Sequence, residues 1–279
     1  MISFGKEKYI PALKELWKLC FPEDSNAFVN FYFNEVYKND ETLIYLENGK
    51  PAAALQMIPY SLKNGEDIFH AGYISGAMTH PDFQRRRFMR ELLLFSFDIM
   101  RKRNFDYTFL IPQEKWLFDF YGKFGYKITE GSYKEDVHHC KTEIQNNPVD
   151  YHSISDTAAI YQIYHRFLSR IPQVVLKTED QFKQILRDFF DEDGVLFADE
   201  QGIAFTFQEE DQIVIKEFFY QSHKVRDLFL EVICNYYSQE EVLIFSSFDD
   251  LTGIKGMIKR LDEEKPEISG LYISMMLEG

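Results

Sequence analysis

Long apolar runs are absent from this 279-residue chain although 45% of its residues are hydrophobic. Nothing in it approaches the ~18 consecutive apolar residues of a membrane span. The amino end, "MISFGKEKYIPALKELW", lacks the charged-then-apolar order of a secretory signal. Cysteine is scarce. Cys20, Cys140 and Cys234 are far apart, odd in number and without metal or redox spacing. They read as small core thiols in a reduced, cytoplasmic compartment. His138 and His139 precede Cys140, but neighbours in a strand face opposite ways, so no metal site is expected. A basic excess is missing too. Residues 1–145 hold 19 Lys/Arg against 20 Asp/Glu, a net of −1, and residues 146–279 hold 12 against 25, a net of −13. That distribution argues against a nucleic-acid partner. An acidic second half serves solubility, or draws in a cationic small molecule.

What is present is a regular alternation of elements. "KYIPALKELWKLCF" carries Ile10, Leu13, Leu16, Trp17 and Cys20 at helical spacing. "SNAFVNFYFNEVYK" follows, with Ser25 or Asn26 as its cap and an apolar stripe of Phe28, Phe31, Tyr32 and Val36. This aromatic helix reads as core, with a pocket lining as the functional alternative. Asn48-Gly49 and Asn64-Gly65 mark hairpin turns between three antiparallel strands. Arg86 to Arg103 then reads as one helix with Phe88, Leu92, Phe95 and Ile99 on a face. "FDYTFLIP" reads as a buried strand, "WLFDFYGKFG" as a short helix, and "YKITEGSYKEDVHH" as a strand region.

"NNPVDYHSISD" has the composition of a linker. Beyond it the architecture repeats: two helices, three strands, a helix, a strand and the closing strand "GLYISMMLE", with "GMIKRL" as a short basic helix. The fold class is therefore α/β (α+β), in two domains at 1–145 and 150–279. Each is a mixed, mostly antiparallel sheet flanked by helices.

The chemistry concentrates in "ISGAMTHPDFQRRRFMRELLLFSF". Three arginines, Arg85 to Arg87, crowd the start of a helix, where unpaired N–H groups and the macrodipole already carry positive charge. Acids are the usual residents of such a position. An anion between the arginines resolves the conflict, and a diphosphate suits a helix N-terminus after a tight loop.

Strand, "HP", aromatic, "QRRRFM" and a Leu-rich helix together resemble motif A of the GNAT acetyltransferase superfamily, whose pattern is Q/R-x-x-G-x-G/A. "FLIPQEKWLFDFYGKFGYK" resembles its motif B, and the order of elements in the first half is similar to the family's throughout. The second half resembles a degenerate copy lacking the motif. The tandem is similar to the amino half of enhanced-intracellular-survival-type acetyltransferases. The resemblance implies that acetyl-CoA, as cosubstrate, is held by Ala77, Met78 and Thr79 on the strand and by Gln84, Arg85, Arg86, Arg87, Phe88 and Met89 at the helix start. It implies Tyr121 as the general acid at the departing sulfur, an acetyl-accepting small-molecule or peptide amine, and an acceptor site shaped by the second half.

Arg87 departs from the family's glycine and Met89 from its glycine or alanine. Glycine there lets backbone approach phosphate closely. The motif strand "GYISGAMTH" contains no acid, so the base is open among Glu114, His80, His70, the carboxylate of Gly279 and solvent. N-acetyltransferase is the first reading. A non-catalytic CoA-binding or ligand-sensing module is the second, and transfer of another acyl group the third.

Overall fold

The computed structural model describes residues 1–129, 136–139, 156–209, 212–239, 241–246 and 255–274, with 136–139 as backbone alone. The first elements in chain order are β1 (Ile2–Phe4), α1 (Ile10–Cys20), α2 (Asn26–Phe31), β2 (Thr42–Glu47), β3 (Lys50–Asn64), β4 (Asp67–Thr79), α3 (Phe88–Lys102), β5 (Tyr107–Leu110), α4 (Lys115–Gly122) and β6 (Lys127–Ile128). They are followed by β7 (Asp136–His139), α5 (Thr157–Leu168), β8 (Gln173–Leu176), α6 (Glu179–Asp191), β9 (Val195–Asp199), β10 (Gly202–Glu209), β11 (Gln212–Tyr220), α7 (His223–Tyr237), β12 (Glu241–Ile244) and β13 (Met257–Arg260). Two compact units result. The first is Met1–Leu62, Ile68–Ile128 and Met257–Glu267; the second is Lys63–Asp67, Thr129–Gly256 and Ile268–Gly279. One boundary at 145–150 is the sequence expectation; the chain instead passes between the units more than once.

In the first unit the strands run β1-β2-β3-β4-β5-β13-β6. Asn48 and Gly49 turn between β2 and β3 with φ of 51° and 78°, the left-handed pair that a two-residue hairpin requires. On one face of the sheet α3 buries Phe88, Leu92, Leu93, Phe97 and Met100. Phe95, expected on that stripe, is 39% exposed, because the face advances through 88, 92, 93, 97 and 100 and passes it by. α1 and α2 make a second cluster of Leu13, Leu16, Trp17, Val29, Tyr32 and Phe33 with Ala54 and Met78. Ser25 caps α2, its hydroxyl accepting from the Phe28 amide at 3.0 Å. The chain then widens into a π-helix over Tyr32–Val36. That change of winding replaces the expected stripe of Phe28, Phe31, Tyr32 and Val36 with Val29, Tyr32 and Phe33.

The segment "GMIKRL", expected as a helix, is strand β13. It lies antiparallel to both β5 and β6, with Ile258 opposite Phe109 and Lys127. Met257, Ile258 and Leu261 are buried there. An apolar-apolar-basic run of this length satisfies either period, and the two vacant strand edges decide it.

The second unit's sheet runs β7-β12-β11-β10-β9. β11 and β12 are parallel at Ile213–Ile215 against Val242–Ile244, and the other pairs are antiparallel. α5 and α6 pack Tyr164, Phe167, Phe182 and Phe189 against Phe205 and Phe219. α7 packs Phe229 and Ile233 against Phe218 and Val242. Side chains fix the helix starts: Asp156 caps α5, a reciprocal Thr178–Gln181 box caps α6, and Ser222 caps α7. Cys234 is disulfide-bonded, where the sequence reading expected a free core thiol; Cys20 is free. Of the expected closing strand, Tyr272 forms a parallel bridge to Val174. Cys140, the linker up to residue 155 and the carboxylate of Gly279 lie outside the described residues.

Candidate active site

β4 and β5 set the geometry. Their parallel ladder covers Ala71–Tyr73 against Tyr107–Phe109. β4 then runs on to Thr79, whereas β5 stops at Leu110. Past the ladder, Gly76 takes φ +55°, and a Cβ there would come within 2.8 Å of the Trp17 ring. The strand thus bends where only glycine fits under the indole. Ala77 is half-buried, Met78 is buried, and Thr79 accepts a hydrogen bond from the Cys20 thiol at 3.4 Å. The thiol's pKa is raised, chiefly by burial.

His80 ends the strand. Its Nδ1 accepts from the Asp82 amide at 3.2 Å and caps the 3₁₀ turn Pro81–Phe83, so it serves the turn. Gln84 is extended, and Arg85 and Arg87 are both left-handed, with φ of 63° and 69°. Arg87 therefore keeps the backbone conformation that glycine would supply, at a cost of about 1–2 kcal/mol. The helix expected from Arg86 begins at Phe88, and Arg87 is its N-cap with no side-chain cap. Its first amides are thus left for an outside acceptor. The three arginines are not equivalent. Arg86 pairs with Glu47 at 3.4 Å and lies over the rings of Phe83 and Phe88. Arg85 and Arg87 are exposed and have no acidic partner among the described residues. Phe88 is buried and stacks on Tyr45 at 3.9 Å; Met89 is half-buried against the same core.

Tyr121 on α4 packs in the apolar cluster with Leu92, Phe97, Leu110 and Tyr126. Burial pushes its pKa up to about 12, so the phenol stays protonated at neutral pH. Its hydroxyl makes no hydrogen bond among the described residues, unlike that of Tyr126, which bonds Thr108 at 3.1 Å. Glu114 is exposed and accepts from the Trp116 indole at 2.7 Å. His70 holds Asp106 through its backbone amide at 3.0 Å, its ring edge-on to Phe105. The structure does not gather Glu114, His70 and His80 into one polar cluster. Along α3 and α4 lies a groove of about 530 Å³ whose apolar floor includes Leu94, Phe97, Phe120 and Phe124. Arg90, Arg101, Lys123 and Lys259 ring it, with Asp98 as its one acid.

Residues 2–129 match the family model described as "Acetyltransferase (GNAT) domain". Over that region the chain is similar to a GNAT acetyltransferase domain. The GNAT fold extends over nearly the whole chain. A GCN5-related N-acetyltransferase from Anabaena variabilis is similar with TM-score 0.69 and 15% identity, over 94% of this chain and 73% of that one. One from Kribbella flavida gives 0.71 and 13%, over 94% and 71%. Eis1 from Mycobacterium abscessus gives 0.70 and 11%, over 95% and 74%. No curated protein matches. Among the described residues no helix is long and apolar enough to cross a membrane.

The motif reading missed a polar group behind β4. Tyr32, at the start of the π-helix, donates to Gln56 Oε1 at 2.6 Å and lies 3.2 Å from Ser75 Oγ. Burial raises the Tyr32 pKa beyond the ordinary phenol range. Glu41 is buried beside Gln56, and burial raises its pKa too, against the opposing pull of Lys38 at 3.4 Å. A polar Gln in the apolar run "AAALQMI" is the signal that could have found it.

Proposed function

We propose that this protein transfers an acetyl group from acetyl-CoA to an amine by direct attack. The observation that carries the reading is the start of α3. An uncapped helix N-terminus, two unpaired left-handed arginines and the free end of β4 converge on one loop. The pyrophosphate of acetyl-CoA would accept from the first α3 amides and lie between Arg85 and Arg87. The pantetheine arm would continue along Ala77–Thr79, which extend beyond β5, and the nucleotide end would follow the basic groove between α3 and α4.

Tyr121 would protonate the departing thiolate. A phenol near pKa 12 remains a donor throughout the working range, and its hydroxyl is not engaged elsewhere. Replacing Tyr121 by Phe is expected to lower kcat by 10–100-fold while the calorimetric Kd for acetyl-CoA stays within threefold. Unchanged kcat removes the residue from the chemistry. If acetyl-CoA does not bind at high micromolar concentration, the transferase reading gives way to a ligand-sensing one.

A further inference from the structure

The reaction requires an amine whose lone pair faces the thioester, yet the motif strand offers no acid to hold it. We propose that the acceptor amine is seated by Ser75, oriented from behind by a buried chain of Tyr32, Gln56 and Glu41. This inference rests on the acetyl-transfer reading and adds the residues on the acceptor side.

Ser75 follows the last β4–β5 ladder residue, Tyr73, by two positions, so the two side chains share a face of the strand. It is half-buried, whereas Tyr32 and Gln56 behind it are buried. The Tyr32 hydroxyl has one hydrogen, directed at Gln56 Oε1 at 2.6 Å and, at longer range, at Ser75 Oγ at 3.2 Å. Ser75 is thus the acceptor toward Tyr32, which leaves it a second lone pair and its own hydrogen. That lone pair accepts an amine N–H. The Gln56 amide donates to the Val36 carbonyl at 3.1 Å and adjoins Glu41. Glu41 Oε2 is buried and has no hydrogen bond among the described residues. An anion held there keeps the Gln56 amide donors inward and its oxygen toward Tyr32, and aligned hydrogen bonds of this kind reinforce one another.

The strand around Ser75 is held by packed rings: Tyr73, two residues before it on the same face, stacks on Phe109 at 5.0 Å, and Tyr60 meets both rings edge-on at about 6 Å. In the step itself the amine nitrogen bonds the acetyl carbon, the carbon–sulfur bond breaks, and sulfur takes a proton. An incoming ammonium loses one further proton, which passes to solvent. Ser75 is the catalytic contact; Tyr32, Gln56 and Glu41 are positioning residues.

The test is steady-state kinetics of the full chain with 2-phenylethylamine, spermidine, lysine and a peptide amino terminus, alongside calorimetry with acetyl-CoA. Ser75→Ala is expected to lower kcat/KM for the amine by 10–100-fold with KM for acetyl-CoA within twofold. Ser75→Thr, which keeps the hydroxyl, should restore at least a third of the activity. Tyr32→Phe and Glu41→Gln should each lower kcat by 3–30-fold at unchanged acetyl-CoA affinity, and Glu41→Asp should fall less. Circular dichroism identifies any variant that fails to fold, and Ser75→Ala, which removes one oxygen, decides the matter if a core variant does. Wild-type kinetics in Ser75→Ala and Glu41→Gln would overturn this seat and leave acetyl transfer standing. Acetyl-CoA binding with no turnover of any amine would overturn both.

Discussion

Arg87 is a bulky, charged residue held where glycine is favoured. At φ 69° its backbone is left-handed, and that of Arg85 is too at 63°. A left-handed arginine costs about 1–2 kcal/mol, while glycine at the same place returns about 0.5–1 kcal/mol of that in chain entropy. Arg87→Gly should therefore stabilise the protein by roughly 0.5–1 kcal/mol, raising the thermal midpoint by about 1–4 °C. Acetyl-CoA affinity should nonetheless fall by about 5–30-fold, because the pyrophosphate loses one guanidinium while the helix amides remain. A lowered midpoint in calorimetric scans would mean that the loop is not left-handed in solution. Gly76 has no such latitude. Its positive φ and the Trp17 ring 2.8 Å from a Cβ should make Gly76→Ala cost about 2–3 kcal/mol in denaturant unfolding. The arginine knot and the Tyr121 helix stand out in the sequence by their motif-like pattern. Of Ser75, Tyr32, Gln56 and Glu41 only Gln56 does, as a polar residue in an apolar run, since the meeting of the four depends on register between β3 and β4 and on a π-helix that propensities do not encode.

Among elements, the hairpins marked by Asn-Gly and the helix after the arginines were readable because turn chemistry and period 3.6 agree there. Short segments failed for the opposite reason. β13 and β8 each span four residues, too few for a period to declare itself. A second failure concerns charge inside an element's packing. β11 carries Glu217, fully buried, accepting from Tyr164 at 3.0 Å and Tyr272 at 2.9 Å, and Lys177 donates to Tyr164 at 3.0 Å. Desolvation lowers the Lys177 pKa to about 8, with Glu217 pulling weakly the other way. The depressed value fixes the sign. Below pH 8 the lysine is charged in both states and its burial penalty is complete. Above pH 8 the folded state sheds its proton while the unfolded chain holds one up to its ordinary value of 10.5, so the penalty shrinks and stability rises. Between pH 8 and 9.5 the gain should be roughly 1.5 kcal/mol. Urea unfolding across that window should show the rise in the wild type and a flatter slope in Lys177→Met. Equal slopes would place the charge of Lys177 in solvent.

At the scale of the whole molecule, two domains in sequence do not give two independent sheets. β13, which follows β12, fills the place between β5 and β6 in the first unit's sheet. It brings Met257, Ile258 and Leu261 into that core, and the Arg101 guanidinium donates to the Leu261 carbonyl at 3.1 Å. The Tyr107 hydroxyl donates to the Pro266 carbonyl at 2.7 Å, adding a second tie to the same return segment. A fragment of residues 1–129 contains the entire family match but lacks this strand. Its β5 and β6 would each face water along an unpaired edge, and three large apolar side chains of the core would be missing. Burying such side chains is worth about 1.5–3 kcal/mol each, against total stabilities of about 5–15 kcal/mol. Fragment 1–129 should therefore be insoluble or unfolded by circular dichroism, whereas the same fragment with residues 255–267 appended through a flexible Gly/Ser linker should recover a cooperative transition. The linker must let the strand enter antiparallel to both neighbours, as Met257 opposite Leu110 and Ile128 requires. A well-folded 1–129 fragment would show that β13 completes the sheet without being needed for it.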